Sequence, residues 1–138
     1  MKRIFLIAIT LLLCISTQAQ IKIDKSKPVL IMIGAEWCTS CRSMKNNVLR
    51  EPMVENLMQN YNFVYIDMDS GEAAMVVAKL REQGYKGGIP YFAIMQQDGK
   101  VTNSLSGVRT SEDFCKFLLN PTPKTEQSTN NTSETKSE

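Results

Sequence analysis

The chain has 138 residues, with 16 basic and 14 acidic side chains and a formal net charge of +2. This balance predicts no basic surface of the kind that binds nucleic acid. The length is enough for one small domain with a single hydrophobic core, and not for two.

The first 19 residues have the three zones of a secretory signal peptide. Two basic residues precede an apolar run from Ile4 to Leu13, and small residues lead up to Ala19. The run has about half of the roughly 20 residues that a membrane-spanning helix requires. We therefore expect cleavage after Ala19 and export to the periplasm or the medium. A lipoprotein cut before Cys14 is the alternative, which the bulky residue before that cysteine disfavours.

Removal of the signal peptide changes the charge and the cysteine count. It takes away two basic residues, so 14 basic residues face 14 acidic ones in the mature chain. Cysteine pairs persist in the oxidising compartment to which the chain would be exported. Three of the four cysteines remain, an odd number that suits one pair and one free thiol.

The mature chain begins with a short lead-in, and Ile21–Ile23 is either an edge strand or a tether. The apolar, β-branched run from Val29 to Ile33 follows Pro28 and predicts a buried strand. A helical pattern starts after Cys38 and includes Met44. The pair Cys38 and Cys41 is therefore predicted to lie where a strand becomes a helix.

That position has chemical consequences for the two cysteines. The first turn of a helix has unpaired N–H groups and the positive end of the helix dipole, and both favour a thiolate. Cys38 lies at or near the N-cap, and Cys41 follows one turn later, within reach for a small disulfide ring. We expect the outer sulfur of Cys38 to attack a disulfide and Cys41 to resolve the mixed disulfide.

The remaining elements follow in a regular order. A second helix is predicted to start at Pro52, and a third to start in a capping box at Asp69–Glu72 and end near Gly84. The last helix, after Thr110, turns Phe114 inward. The predicted strands are Asn62–Met68, Tyr91–Met95 and Val101–Leu105, of which the last two form a hairpin.

This order, β-α-β-α-β-β-α, predicts an α/β fold with a mixed central sheet and helices on both faces. We assign residues 20–120 to this domain. Residues 121–138 are polar and have no large apolar side chain, so we predict a disordered tail.

The segment Ala35-Glu36-Trp37-Cys38-Thr39-Ser40-Cys41, placed after a hydrophobic strand, resembles the active site of the thioredoxin superfamily. The later Gly88-Ile89-Pro90-Tyr91 resembles that family's cis-proline loop. The resemblance extends from about Val29 to Leu119. It implies a thioredoxin-like fold with a trimmed N-terminus, since the lead-in is too short for the usual first strand and helix.

The resemblance also implies roles for individual residues. Trp37 would be a partly exposed plate beside the sulfurs, and Ile89 and Pro90 would form the groove that pairs with a bound peptide. One position departs from the family. Reductases of this kind commonly have a buried carboxylate six residues before the first cysteine, and here that residue is Met32. Some other group, or water, has to take up the proton of Cys41.

The implied function is that of an exported thiol–disulfide oxidoreductase, a reductase or disulfide relay, with no cofactor besides the Cys38–Cys41 pair. Thr39-Ser40 lacks the histidine of the family's strong oxidants and the proline of ordinary thioredoxin. Glu51–Val54 resembles exported domains of the thiol:disulfide interchange kind. Protein thiols and disulfides would be the partners of a monomer, with a membrane-borne electron donor.

Two other functions use the same residues. A thiolate pair can bind Cu(I) as a metallochaperone does, although the third ligand is usually a histidine and this chain has none. A non-enzymatic module would bind peptide in the groove without redox chemistry, and the intact CxxC disfavours it. Cys115, among apolar residues of the last helix, is expected to be a buried inert thiol.

Overall fold

The computed structural model describes residues 23–121. It has four strands, four α-helices and one short 3-10 helix, in the order that the sequence predicts. The strands are β1 (Val29–Gly34), β2 (Asn62–Asp67), β3 (Tyr91–Met95) and β4 (Val101–Ser106); the α-helices are α1 (Thr39–Asn46), α2 (Pro52–Met58), α3 (Ala73–Glu82) and α4 (Ser111–Leu119); the 3-10 helix is Val48–Arg50.

The four strands form one mixed sheet in the order β2-β1-β3-β4. β1 is parallel to β2, with Met32 opposite Tyr65, and antiparallel to β3, with Ile33 opposite Tyr91. β3 and β4 form the predicted antiparallel hairpin. The predicted α/β class and mixed sheet are therefore confirmed.

β1 is the centre of the fold because both of its faces are covered. Leu30 and Met32 belong to one apolar cluster and Ile31 and Ile33 to another, as the two-residue period of a strand requires. The first cluster packs with residues of α1, α2 and α4, and the second with residues of α3. Helices on both faces explain why the sequence of β1 is apolar throughout rather than alternating.

α4 shows how the local sequence sets a helix and its buried face. The Thr110 hydroxyl accepts the N–H of Asp113 at 3.2 Å and caps the N-terminus. Phe114 is fully buried, and its ring lies 4.8 Å from that of Phe92 on β3. The predicted inward orientation of this helix is correct.

The capping box predicted at Asp69–Glu72 is wrong. α3 begins at Ala73, and its N-cap, Glu72, makes no side-chain cap hydrogen bond. Ser70 instead donates its hydroxyl to the carbonyl of Asp67 at 2.7 Å, in a turn that ends β2. The side chain of Ser70 thus forms its hydrogen bond within the turn, and a side chain bonded in this way is not available to cap the helix.

The helices α1 and α2 are short. α1 ends at Asn46, and the 3-10 turn Val48–Arg50 connects it to α2. α2 ends at Met58, and Tyr61 lies beyond that end and packs against the first apolar cluster.

The predictions for the chain ends concern residues that are mostly not described. The signal peptide (1–19), Ile21 and Lys22, and all of the tail (121–138) except Pro121 lie outside the described residues. Ile23 is not part of a strand. Between residues 23 and 121, the helices are too short and too polar to cross a membrane.

Candidate active site

The two cysteines of the CxxC motif occupy the junction between β1 and α1. Cys38 has an extended backbone conformation and is the N-cap of α1. Its sulfur accepts the backbone N–H of Cys41 at 3.1 Å. The sulfur thus takes one of the N–H groups that a helix start leaves unpaired, as the sequence predicted.

Cys38 and Cys41 are joined by a disulfide, with 5.2 Å between their Cα atoms. Cys41 is fully buried, whereas 7% of Cys38 remains exposed. This difference agrees with an outer sulfur that meets the partner and an inner sulfur that resolves, which are the roles expected from the sequence.

Trp37 precedes the disulfide and is 67% exposed. Its indole N–H donates to the Asp69 carboxylate at 2.9 Å, in the segment after β2. The ring is therefore held at the rim of the site rather than in the core. This position agrees with the exposed plate that the resemblance implies.

The segment before β3 reaches the same end of the sheet. The Ile89–Pro90 peptide bond is cis, as the resemblance implies. Because Tyr91 pairs with Ile33, the residues before Tyr91 lie beside the chain that leads to Cys38. Pro90 is fully buried, and Ile89 packs against the apolar cluster that contains both cysteines.

The charged residues near the cysteines are few and mostly at the surface. Glu36 is exposed, and its carboxylate lies 3.3 Å from the ammonium group of Lys45, one turn beyond Cys41 on α1. The residue six positions before Cys38 is Met32, so β1 has no carboxylate there. The Met32 side chain is fully buried.

Sequence reasoning missed Tyr65, which lies on β2 opposite Met32. Lys45 places its ammonium group 4.3 Å from the centre of the Tyr65 ring. Burial raises the pKa of the Tyr65 hydroxyl above 10.0, and the negative charges of Asp67, Glu36 and Asp69 raise this pKa further. Tyr65 could have been identified from its pairing with Met32, but predicting that pairing requires the register of β1 and β2.

Cys115 is on α4 and takes no part in the disulfide, although it belongs to the same apolar cluster as Cys38 and Cys41. It is a free cysteine and is buried, as predicted. Burial raises the pKa of its thiol, which makes the reactive thiolate scarcer. Among residues 23–121, no three side chains of the types that ligate metals come together.

A mixed sheet with a CxxC disulfide at a helix N-cap and a cis-proline segment beside it defines a class of redox-capable α/β domains. Residues 22–97 match the family model described as thioredoxin-like. The chain belongs to the thioredoxin-like family.

The curated relatives that match at the sequence level include two kinds of thiol:disulfide interchange protein. A thiol:disulfide interchange protein TxlA homologue from Synechocystis is 30% identical over 81 residues, which are 56% of this chain and 39% of that protein. The thiol:disulfide interchange protein DsbD of Neisseria meningitidis is 28% identical over 97 residues, 70% of this chain and 16% of that protein. The chain thus spans less than half of each relative.

The similar solved structures include a domain of DsbD and a thioredoxin. The oxidised C-terminal domain of Neisseria meningitidis DsbD has a TM-score of 0.53 and 25% identity, covering 69% of this chain and 80% of that one. A thioredoxin from Thermus thermophilus has a TM-score of 0.59 and 23% identity, covering 68% and 72%. Both likenesses support the thioredoxin-like fold.

Proposed function

We propose that this protein is an exported thiol–disulfide oxidoreductase that reduces or relays disulfides of other proteins. The observation that carries the proposal is the Cys38–Cys41 disulfide at the start of α1, where Cys38 accepts a helix N–H group. The N–H groups and the helix dipole stabilise a thiolate on Cys38 when the disulfide is reduced.

In the proposed reaction the reduced protein is the electron donor. The thiolate of Cys38 attacks a substrate disulfide, forms a mixed disulfide and releases one substrate sulfur as a thiolate. Cys41 then loses its proton and attacks Cys38, which releases the second substrate sulfur. The cysteine pair is oxidised to the Cys38–Cys41 disulfide. The two electrons that it loses reduce the substrate disulfide, and the two departing substrate sulfurs take up two protons.

The substrate would dock on Trp37, Ile89 and Pro90. The indole of Trp37 offers an exposed flat surface next to the sulfurs, and amphipathic rings of this kind contribute strongly to protein recognition. Ile89 lies two residues before Tyr91, the first residue of β3. Its backbone would pair with an extended segment of the partner, as an added strand does.

The proposed partners are protein thiols and disulfides, with an electron donor in the membrane that returns the disulfide to the dithiol. The names of the TxlA and DsbD relatives, both thiol:disulfide interchange proteins, support this partner class. We propose a monomer, exported to the periplasm or the medium, that needs no cofactor besides the cysteine pair.

Reduction of insulin by the purified protein, with dithiothreitol as electron source, tests the activity. We expect catalysed precipitation of the insulin B chain by the wild type and none by Cys38→Ser. Cys115→Ser is the matched control, because it removes a buried thiol outside the site and should retain activity.

Metal content measured on the same samples tests the Cu(I) alternative. Stoichiometric copper bound through Cys38 and Cys41, together with no insulin reduction, would overturn the oxidoreductase in favour of a metallochaperone. Peptide binding that is equal in the wild type and in Cys38→Ser, without reduction, would favour a non-enzymatic module.

Trapping identifies the partners. In a Cys41→Ser variant the mixed disulfide on Cys38 cannot be resolved, so it accumulates when the variant is expressed in its own host. Mass spectrometry of the trapped species would identify substrate proteins and the electron donor.

A further inference from the structure

The Tyr65 hydroxyl is a buried polar group with no explanation in the fold. Its oxygen is inaccessible to solvent and has no hydrogen-bond partner within the described part of the chain. Buried polar groups are nearly always hydrogen-bonded, so an exception beside a redox centre requires an explanation, and a role in the chemistry is one such explanation.

Gly34 is a common neighbour of Cys41 and of this hydroxyl. Gly34 has no side chain, and a Cβ atom built on it would lie 3.2 Å from the Tyr65 hydroxyl oxygen and 3.3 Å from the Cβ atom of Cys41. Tyr65 and Cys41 therefore border the same gap, which only a glycine leaves open. In the oxidised protein the Cys41 sulfur is bonded to Cys38 and carries no charge.

The strand register puts Tyr65 beside the position where a carboxylate is missing. Tyr65 pairs with Met32 on the parallel strand β1, and both side chains contact the apolar cluster that contains the cysteines. Met32 is fully buried, and its only polar atom is a thioether sulfur, a weak hydrogen-bond acceptor that neither donates nor takes up a proton.

The surroundings keep the Tyr65 hydroxyl in its neutral, donating form. Burial raises the pKa of Tyr65 most, and the carboxylates of Asp67, Glu36 and Asp69 raise it further. The ammonium group of Lys45 lies over the ring and also pairs with Glu36. At neutral pH Tyr65 thus holds its proton and is a hydrogen-bond donor.

We propose that the Tyr65 hydroxyl donates a hydrogen bond to the Cys41 sulfur in the reduced protein and stabilises its thiolate during the resolving step. This inference rests on the proposed function and names the group that acts on Cys41 in the absence of a buried carboxylate. Tyr65 is not a base in this step.

The step balances without any further reagent. Cys41 gives up its proton to solvent water, its thiolate attacks the Cys38 sulfur, and the bond between Cys38 and the substrate sulfur breaks as the new disulfide forms. The departing substrate thiolate takes up a proton. The Tyr65 hydroxyl keeps its own proton throughout and loses its acceptor once the Cys41 sulfur is neutral again.

A disulfide of thionitrobenzoate separates the two steps, because each step releases one coloured thiolate. With the reagent limiting, the fast release reports attack by Cys38 and the second release reports resolution by Cys41. A Cys41→Ser variant should give the first release only. The probe is small and does not depend on the docking surface.

Tyr65→Phe removes the hydroxyl and keeps the ring. We expect an unchanged first release, a second release slowed about tenfold near pH 7, and a pH midpoint of the second release raised by about one unit, since hydrogen bonds to charged groups are the strong ones. Tyr61→Phe is the matched control, because it removes a hydroxyl that donates to the carbonyl of Leu118. Neither release should change in that variant.

Several outcomes would overturn the inference. An unchanged second release in Tyr65→Phe shows that the hydroxyl does not act on Cys41. Slowing of both releases alike, or slowing without a shift of the pH midpoint, shows a structural role only. A wild type that lacks both releases removes the proposed function itself, and this inference with it, so the two failures are distinguishable.

Discussion

Cys38 and Cys41 have different environments although only two residues separate them. Cys38 keeps some exposure and accepts the N–H of Cys41, whereas the Cys41 sulfur is fully buried. The asymmetry follows from one turn of helix, which places the first cysteine at the N-cap and the second against the core.

This asymmetry predicts different reactivity after reduction. We expect the alkylation rate of Cys38 by iodoacetamide to reach half of its maximum at a pH clearly below the value of about 8.5 for free cysteine. The helix N–H groups and dipole that stabilise its thiolate are the cause. Mass spectrometry of the labelled peptides assigns each rate. A midpoint for Cys38 at or above that of free cysteine would contradict the N-cap argument.

Loss of the Trp37 ring is expected to affect the reaction with a protein substrate more than the reaction with a small disulfide. Trp37→Ala should lower kcat/KM for insulin by about tenfold, as loss of an exposed aromatic anchor does, and leave exchange with a small disulfide nearly unchanged. Parallel steady-state assays with both substrates would measure it.

Met75→Ala is the control for this prediction. Met75 is also exposed and apolar, but it lies on α3, the helix that packs on the other face of the sheet. Equal losses in Trp37→Ala and Met75→Ala would mean that Trp37 has no specific part in docking.

Helix α4 closes the core on the cysteine face. Phe114, Phe117 and Leu118 are buried, whereas Leu119 is 63% exposed at the end of the same helix. The ring of Phe114 also lies edge-on to Phe92 of β3, so one side chain joins the helix to the sheet.

Phe114→Ala should lower the free energy of unfolding by about 3–5 kcal/mol, because it leaves a cavity in the core. That is a large part of the 5–15 kcal/mol typical of a small domain. Leu119→Ala on the same helix should cost less than about 0.5 kcal/mol. Urea denaturation followed by circular dichroism measures both, and similar midpoints for the two variants would refute the assignment of the core.

At the scale of the whole molecule, the sheet separates two apolar clusters, and both contain or contact tyrosines with raised pKa values. Burial is the main cause of the raised pKa of Tyr61, Tyr65 and Tyr85. The folded protein therefore keeps protons on these hydroxyls at a pH where the unfolded chain loses them.

This difference predicts a loss of stability in alkali. Below pH 10, the ordinary pKa of tyrosine, these hydroxyls are protonated in both the folded and the unfolded state. Their contribution to the free energy of unfolding is then complete. As pH rises from about 10 through the raised values, the unfolded chain releases protons first, and the free energy of unfolding falls. Denaturation curves between pH 8 and 11, with tyrosine ionisation followed at 295 nm, would measure the loss. Stability that stays constant over this range would show that these hydroxyls ionise as freely in the fold as outside it.

The sequence by itself determined the elements and the chemistry of the cysteine pair. Apolar β-branched runs and helical spacing are local patterns, so β1 to β4 and all four helices were predictable within a few residues. The junction at Cys38 followed from the same patterns. The capping box at Asp69–Glu72 failed because Ser70 hydrogen-bonds to the turn after β2, and two uses of the same polar residues look alike in sequence.

The tertiary structure alone decided what surrounds Cys41. Tyr65 lies 24 positions beyond it in the chain, and it reaches the site only because β2 pairs in parallel with β1 and places Tyr65 beside Met32. Gly34 is the last residue of β1, and its missing side chain leaves the gap that Tyr65 and Cys41 share. Such contacts depend on strand order and register, which are set by the packing of the whole domain rather than by any local run of residues.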